Sequence, residues 1–210
     1  MSKMFWNKYP KINIQYGKLL DPIFVFYCKN SPELKSRGWN DWTPPNQNEL
    51  NRRIEQYKIE WSKYEDKILF GIKKITKLSF KKNVVDVYIV SGISRALSNP
   101  IVMQSGFSKK EFIITLAHEL LHHILVSNNV SRSIYNIFPE YHQESISVRR
   151  HIIIHAILKS LYLDILKNKE FFNIDLEKSS RHSTSEYKRS WEIVEEKGYK
   201  KILSEFLKIS

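Results

Sequence analysis
The residues best suited to chemistry in this chain are His118, Glu119 and His122, in the run His118-Glu119-Leu120-Leu121-His122. On an α-helix, side chains four residues apart leave the same face, one turn from each other. Two imidazoles so placed can each bring a ring nitrogen to one tetrahedral ion, at roughly 2.0–2.1 Å for zinc. Glu119 lies beside the pair and is poorly placed to ligate the same ion. Its carboxylate suits the general base of a metal-assisted hydrolysis, which takes a proton from water.

A helix must carry these residues, and the flanking sequence predicts one. Ser108 and Glu111 have the spacing of a capping box, which fixes a helix start ten residues before His118. From Phe112 to Val126 there is no Pro or Gly, and Phe112, Leu116, Leu120 and Ile124 recur at spacing four. Ile113, Ala117 and Leu121 widen that stripe until the helix is apolar nearly all round. Buried imidazoles need partners for their ring nitrogens. Metal ligation meets that need. Hydrogen-bonded core histidines are the alternative, but they leave Glu119 as a third interior polar group without a purpose.

A catalytic zinc takes three protein donors plus water. Pro139 at a first helical position predicts a second helix running to about Leu166, which carries Glu140, His142, Glu144, His151 and His155. Glu144, Val148, His151 and His155 share one face of that helix, polar among Ile and Leu, and so expected to look at the metal helix. Glu144 is the expected third ligand. Glu140 is the alternative, at a first turn where the helix dipole alone would explain a carboxylate. Glu144 would then accept the ring N–H of a ligand histidine. A histidine of this helix ranks behind both glutamates as third ligand.

Around this centre, the 210 residues suffice for one domain, and the 42% hydrophobic content for a real core. No apolar run approaches the ~18 residues of a membrane span, and the N-terminus lacks the apolar stretch of a signal peptide. A single cysteine, Cys28, excludes an intrachain disulfide framework and suits a reducing compartment. A soluble, intracellular (cytoplasmic) protein is expected, with no membrane partner. The net charge of +12 is compatible with nucleic-acid binding. Its lysines, however, are scattered without a basic run of five or more, so this partner is not favoured.

In chain order, residues 1–45 predict N-terminal strands, at Ile12–Gly17 and Ile23–Cys28, followed by a loop. Trp39 and Trp42 in that loop are expected to plug gaps against the core. Residues 46–77 predict one long backing helix, capped by Asn46, with an apolar stripe from Leu50 to Ile75. Residues 84–166 hold strands at Val84–Val90 and Ile101–Gln104, then the metal-binding and third-ligand helices. Residues 167–181 are polar and read as irregular. Residues 183–210 hold two C-terminal helices, stopped and restarted at Gly198. The expected fold class is α+β, mainly helical, with a small sheet whose edge strand precedes the metal-binding helix. Such an edge could pair with an extended peptide.

The His118–His122 motif, a preceding short strand and a glutamate on the next helix together resemble the gluzincin zinc metallopeptidases, most closely the small minigluzincins. The resemblance covers roughly residues 84–166, and no Gly-x-x-His extension after His122 places the chain with the metzincins. It implies a single zincin-like domain over residues 1–210 and a zinc-dependent hydrolase of peptide or protein substrates. Zinc would be held by His118, His122 and Glu144 or Glu140, with Glu119 as catalytic base. Peptidases of this kind add a donor for the oxyanion, for which His182, Tyr187 and His151 are the candidates. The competing reading is a basic nucleic-acid-binding or interaction module in which the His-Glu-x-x-His helix is structural.

Overall fold
The computed structural model describes residues 9–130, 139–181 and 185–208. The fold is α+β and mainly helical, with a small mixed sheet. The chain falls into two compact units: residues up to Lys63 with Lys82–Thr115, and Tyr64–Lys81 with Leu116 onward.

The first unit holds the sheet, ordered β1 (Lys11–Tyr16), β2 (Val84–Val90), β4 (Ile101–Gln104), β3 (Leu97–Ser98). β1 and β4 flank β2 in parallel, and the outermost strand, β3, pairs antiparallel with Ile101 and Val102. Alternation sorts the strand faces. Ile12, Ile14, Val85, Val87 and Ile89 are buried, while on the other face Asp86 accepts hydrogen bonds from Asn13 (2.6 Å) and Gln15 (3.0 Å).

The Ile23–Cys28 run is not a strand. It lies in helix α1 (Asp21–Asn30), where Ile23 and Phe26 are 65% and 70% exposed. Pro22 occupies the first turn, where a missing N–H costs nothing. The buried Asp21 carboxylate accepts from the Ser91 N–H (2.5 Å), the Ser91 hydroxyl (2.8 Å) and the Tyr16 hydroxyl (2.9 Å). Leu20 and Phe24 then pack on Val90, Ile93 and Val102. Long-range pairing of Asp21 thus overrides local β propensity. The next residues are not simply a loop either: helical turns cover Pro32–Leu34 (α2) and Lys35–Trp39, broken at Gly38 by a φ of 87°. Trp42 fills a gap as expected, since a Cβ on Gly92 would sit 2.4 Å from its ring.

The long backing helix is two helices, α3 (Gln47–Ser62) and α4 (Glu65–Thr76). The Asn46 side chain caps α3 by accepting from the Glu49 N–H. At the other end the Lys63 N–H reaches the carbonyls of Glu60 and Trp61, and Tyr64 leaves helical geometry at φ −120°, ψ −17°. Glu65 and Asp66 then restart the helix with charges that suit its N-terminus. No Pro or Gly marks the break, and the apolar period continues across it. Within the first unit, the ring of Tyr57 on α3 stacks on Phe112 at 4.2 Å. Its hydroxyl lies 2.7 Å from the carbonyls of both Ser105 and Phe107 and donates to one at a time. That bond holds the turn leading into α5 (Lys109–Ser127).

The second unit is helical: α4, α5 from Leu116 onward, α6 (Ile146–Ser160), α7 (Lys169–Arg181), α8 (Ser185–Lys197) and α9 (Tyr199–Phe206). α6 begins later than Pro139 predicts. Pro139–Tyr141 forms only a 3₁₀ turn, and Ser145 caps the helix by accepting from the Val148 N–H. Beyond Ser160 the chain continues in a π-helical turn, Leu161–Ile165. Residues 169–181 are helical rather than irregular. Asn168 accepts from the Phe171 N–H at its start, and the buried face is Phe171, Asp175 and Ser179, two of them polar. That polarity hides the helical period from a hydrophobicity pattern. No helix among the described residues is long and apolar enough to cross a membrane.

Gly71 of α4 marks a close helix approach: a Cβ there would lie 2.5 Å from Leu161 Cδ1 and 3.2 Å from Ile165 Cγ2. Gly71→Ala therefore overpacks this contact, despite alanine's better helix propensity. The expected cost is about 1–3 kcal/mol, read as a lower midpoint in urea unfolding.

Candidate metal centre
α5 carries the first two histidines. Its capping box forms as the spacing predicts: the Glu111 N–H donates to Ser108 Oγ (3.2 Å) and the Ser108 N–H to Glu111 Oε2 (2.9 Å). Leu116, Ala117, Leu120, Leu121, Ile124 and Leu125 are all buried. The remaining strip presents His118 and His122, half-buried, with buried Glu119 between them in sequence.

The two Nε2 atoms of His118 and His122 are 3.1 Å apart. Without a metal, one of them must carry the hydrogen that the other accepts. Two nitrogens held by one tetrahedral zinc at ~2.0–2.1 Å would be about 3.3 Å apart, so the pair already stands near ligand spacing.

α6 supplies the third nitrogen. His151 is buried, and its Nδ1 lies 2.7 Å from the Ser147 carbonyl oxygen. A carbonyl only accepts, so Nδ1 carries the hydrogen and Nε2 is left as a lone pair. That Nε2 is buried and has no hydrogen-bond partner. The His151 ring lies 5.3 Å from that of His118 and 5.1 Å from that of His122. Donor atoms of His118, His122 and His151 all fall within 4.8 Å of one another, close enough to hold a metal ion. A ligand imidazole anchored through its other N–H is the usual arrangement at metal sites.

The structure brings His151, and neither expected glutamate, beside the His118–His122 pair. Glu144 and Glu140 both precede α6 and do not join the histidine group. Glu144 accepts from Arg189 Nε at 2.8 Å, and Glu140 pairs with Lys197. The cause is the helix start. With α6 capped at Ser145, the face expected to begin at Glu144 begins at Val148 and keeps only its histidines. His142 is exposed and contacts Gln143 and the Pro139 carbonyl.

Among the oxyanion candidates, Tyr187 reaches the cluster. Its ring meets His151 edge-on at 4.3 Å and lies 5.8 Å from His118. His151 stands in the cluster as a potential ligand, and His182 lies outside the described residues. Ser190 and Trp191, which were not among the sequence candidates, adjoin the cluster through His155, which shares the expected helix face with His151. His155, one turn beyond His151, is buried and stacks on Trp191 at 4.3 Å with the planes 8° apart. Its Nδ1 is 2.9 Å from Ser190 Oγ.

Burial governs the charge of this group. It holds the His118 and His155 pKa values well below the ordinary imidazole range, and neighbouring positive charge adds to the effect. The same causes bring His122 down to about 3 and His151, mainly through burial, to about 4. All four rings are therefore neutral at pH 7, the form that ligates metals.

No protein-family model, curated protein or solved structure matches the chain. The site itself defines the class: a mainly helical α+β protein with a three-histidine group able to hold a metal, two of its members on the helix that also carries Glu119.

Two outcomes follow from this arrangement. In the metal-free protein, the unfolded histidines take up protons below about pH 6.5 while the folded ones do not. Stability should therefore be full above pH 6.5 and fall toward pH 4, as measured by urea midpoints against pH. Buried Asp175, raised to about 6 by burial, acts in the opposite sense below pH 6, as one group against four. Separately, Glu144→Ala and Glu140→Ala should leave zinc affinity unchanged within about threefold, whereas His151→Ala should remove a donor and lower it by more than tenfold. Competition with a chelating dye reads both.

Proposed function
We propose that this chain is a metal-dependent hydrolase of peptide or protein substrates, with zinc as the metal. The observation that carries the reading is the convergence within 4.8 Å of donor atoms of His118 and His122, on the helix that also bears Glu119, and of His151 on α6. Three imidazole donors suit zinc and leave room for a further ligand, as catalytic sites require. Bound zinc would supply Lewis-acid polarisation of the scissile carbonyl and make nearby water more acidic.

The chain's own residues do the rest. His151 is held in its ligating tautomer by the Ser147 carbonyl. Glu119 takes a proton from the attacking water onto a carboxylate oxygen and delivers it to the departing amine nitrogen, so that water is divided between the two products. Tyr187, with its ring against His151, is the donor for the carbonyl oxygen as it gains charge. His118, His122 and Tyr187 are half-buried, and they form the side by which a substrate enters.

Within the zincin class, a three-histidine site differs from the glutamate-ligand form of the gluzincins, because the helix after the motif offers His151 where those enzymes offer a carboxylate. The nucleic-acid reading rests on net charge alone.

Protein purified without chelators should contain one zinc per chain by elemental analysis, and His118→Ala should lose it. Glu119→Gln should keep the zinc while hydrolysis of a mixed peptide library falls about 10²–10⁴-fold. Retained activity in Glu119→Gln would sink the mechanism. Absence of metal from the wild type, with no uptake on titration, would sink the class.

A further inference from the structure
We infer that Nε2 of His155 is a recognition acceptor in the histidine cluster, selecting bound molecules that carry an N–H or O–H donor. The inference deepens the metal-site reading and rests on it.

His155 is 1% exposed, against the half-buried His118, His122 and Tyr187, so it is the most deeply buried ring of the cluster. Its ring is 5.6 Å from that of His151 and 5.9 Å from those of His118 and Tyr187. It is not among the group close enough to share one metal ion, so it is not a fourth ligand. Yet it is prepared like one. The Ser190 hydroxyl donates to the Tyr187 carbonyl (2.9 Å), and its single hydrogen is thereby used. Ser190 Oγ can then only accept from His155, which places the hydrogen on Nδ1 and the lone pair on Nε2. Nε2 is buried and has no hydrogen-bond partner. Stacking on Trp191 occupies one face of the ring, and Ser190 occupies its Nδ1 edge. An unmet buried acceptor is costly, and a ligand donor that reaches it recovers the bond. An amide N–H has this chemistry, and so does a hydroxyl.

The test pairs one variant with two probes. Acetohydroxamic acid binds metals through its oxygens and carries an N–H; its N-methyl analogue binds in the same way without that donor. His155→Phe keeps an aromatic ring for Trp191 and removes both nitrogens. Affinities for the two probes are measured on cobalt-loaded protein from the visible absorption change, and cobalt affinity is measured separately. In the wild type the N–H probe should bind about tenfold or more tightly than the N-methyl probe. In His155→Phe that preference should shrink to within about twofold, with one cobalt per chain and its affinity held within about threefold. Should the variant fail to fold, Ser190→Ala, which frees the ring edge, should narrow the preference in the same direction. An unchanged preference in the variant overturns the inference alone. A cobalt affinity lowered more than about tenfold makes His155 a ligand and also overturns it. A wild type that takes up no metal overturns the inference together with the metal reading.

Discussion
Imidazoles sealed in an apolar interior cannot readily become cations, and this constraint shapes the second unit. Burial disfavours the charged form, so each ring keeps one N–H and one lone pair. The fold must find an acceptor for the first and leave the second for something else. His151 meets the first demand within its own helix, one turn back at the Ser147 carbonyl. His155 meets it across to α8, at Ser190. In both rings Nε2 is the atom left unmet. An interior built only for stability would fill these positions with apolar side chains, since a buried polar atom without a bond costs about 1–3 kcal/mol.

The readable parts of the chain were those where local signals agreed with the final packing. β1, β2 and β4 alternate or are continuously apolar, and α5 has both a capping box and an unbroken helical period. α1 was not readable, because its packing against the sheet rests on Leu20 and Phe24 and on a carboxylate bonded to residue 91. The apolar residues between them face outward, so their order carries no helical stripe. α7 failed for the opposite reason: Asp175 and Ser179 are polar yet buried, with Asp175 accepting from the Tyr162 hydroxyl at 2.9 Å. Hydrophobic patterning cannot register a face held by hydrogen bonds.

The site was half legible for a related reason. The four-residue histidine spacing on α5 is a local property and survives any tertiary arrangement. Whether the glutamates share the face of His151 depends on where α6 starts, and Pro139 is a weaker start signal than Ser145, whose hydroxyl accepts from the Val148 N–H. Moving the start from Pro139 to Ile146 leaves the phase of His151 and His155 intact but puts both glutamates on the preceding turns. Those turns lie beside Arg189 and Lys197, which take the carboxylates as ion pairs. The polar stripe was real, but its acidic end belonged to a different interaction.

α8 therefore belongs to the site. Tyr187, Ser190 and Trp191 stand three and four residues apart and so on one face of that helix, and each touches a different part of the histidine group. A histidine side chain has two torsions to fix. The Trp191 indole, parallel to the His155 ring, constrains its plane, while Ser190 constrains which edge turns inward. Trp191 is itself braced by Phe172 of α7 at 5.6 Å. The orientation of His155 thus depends on helices other than the two that hold the three-histidine group. A histidine placed only by packing could turn through its second torsion and exchange its two nitrogens, whereas one held by a stack and a hydroxyl presents the same lone pair each time.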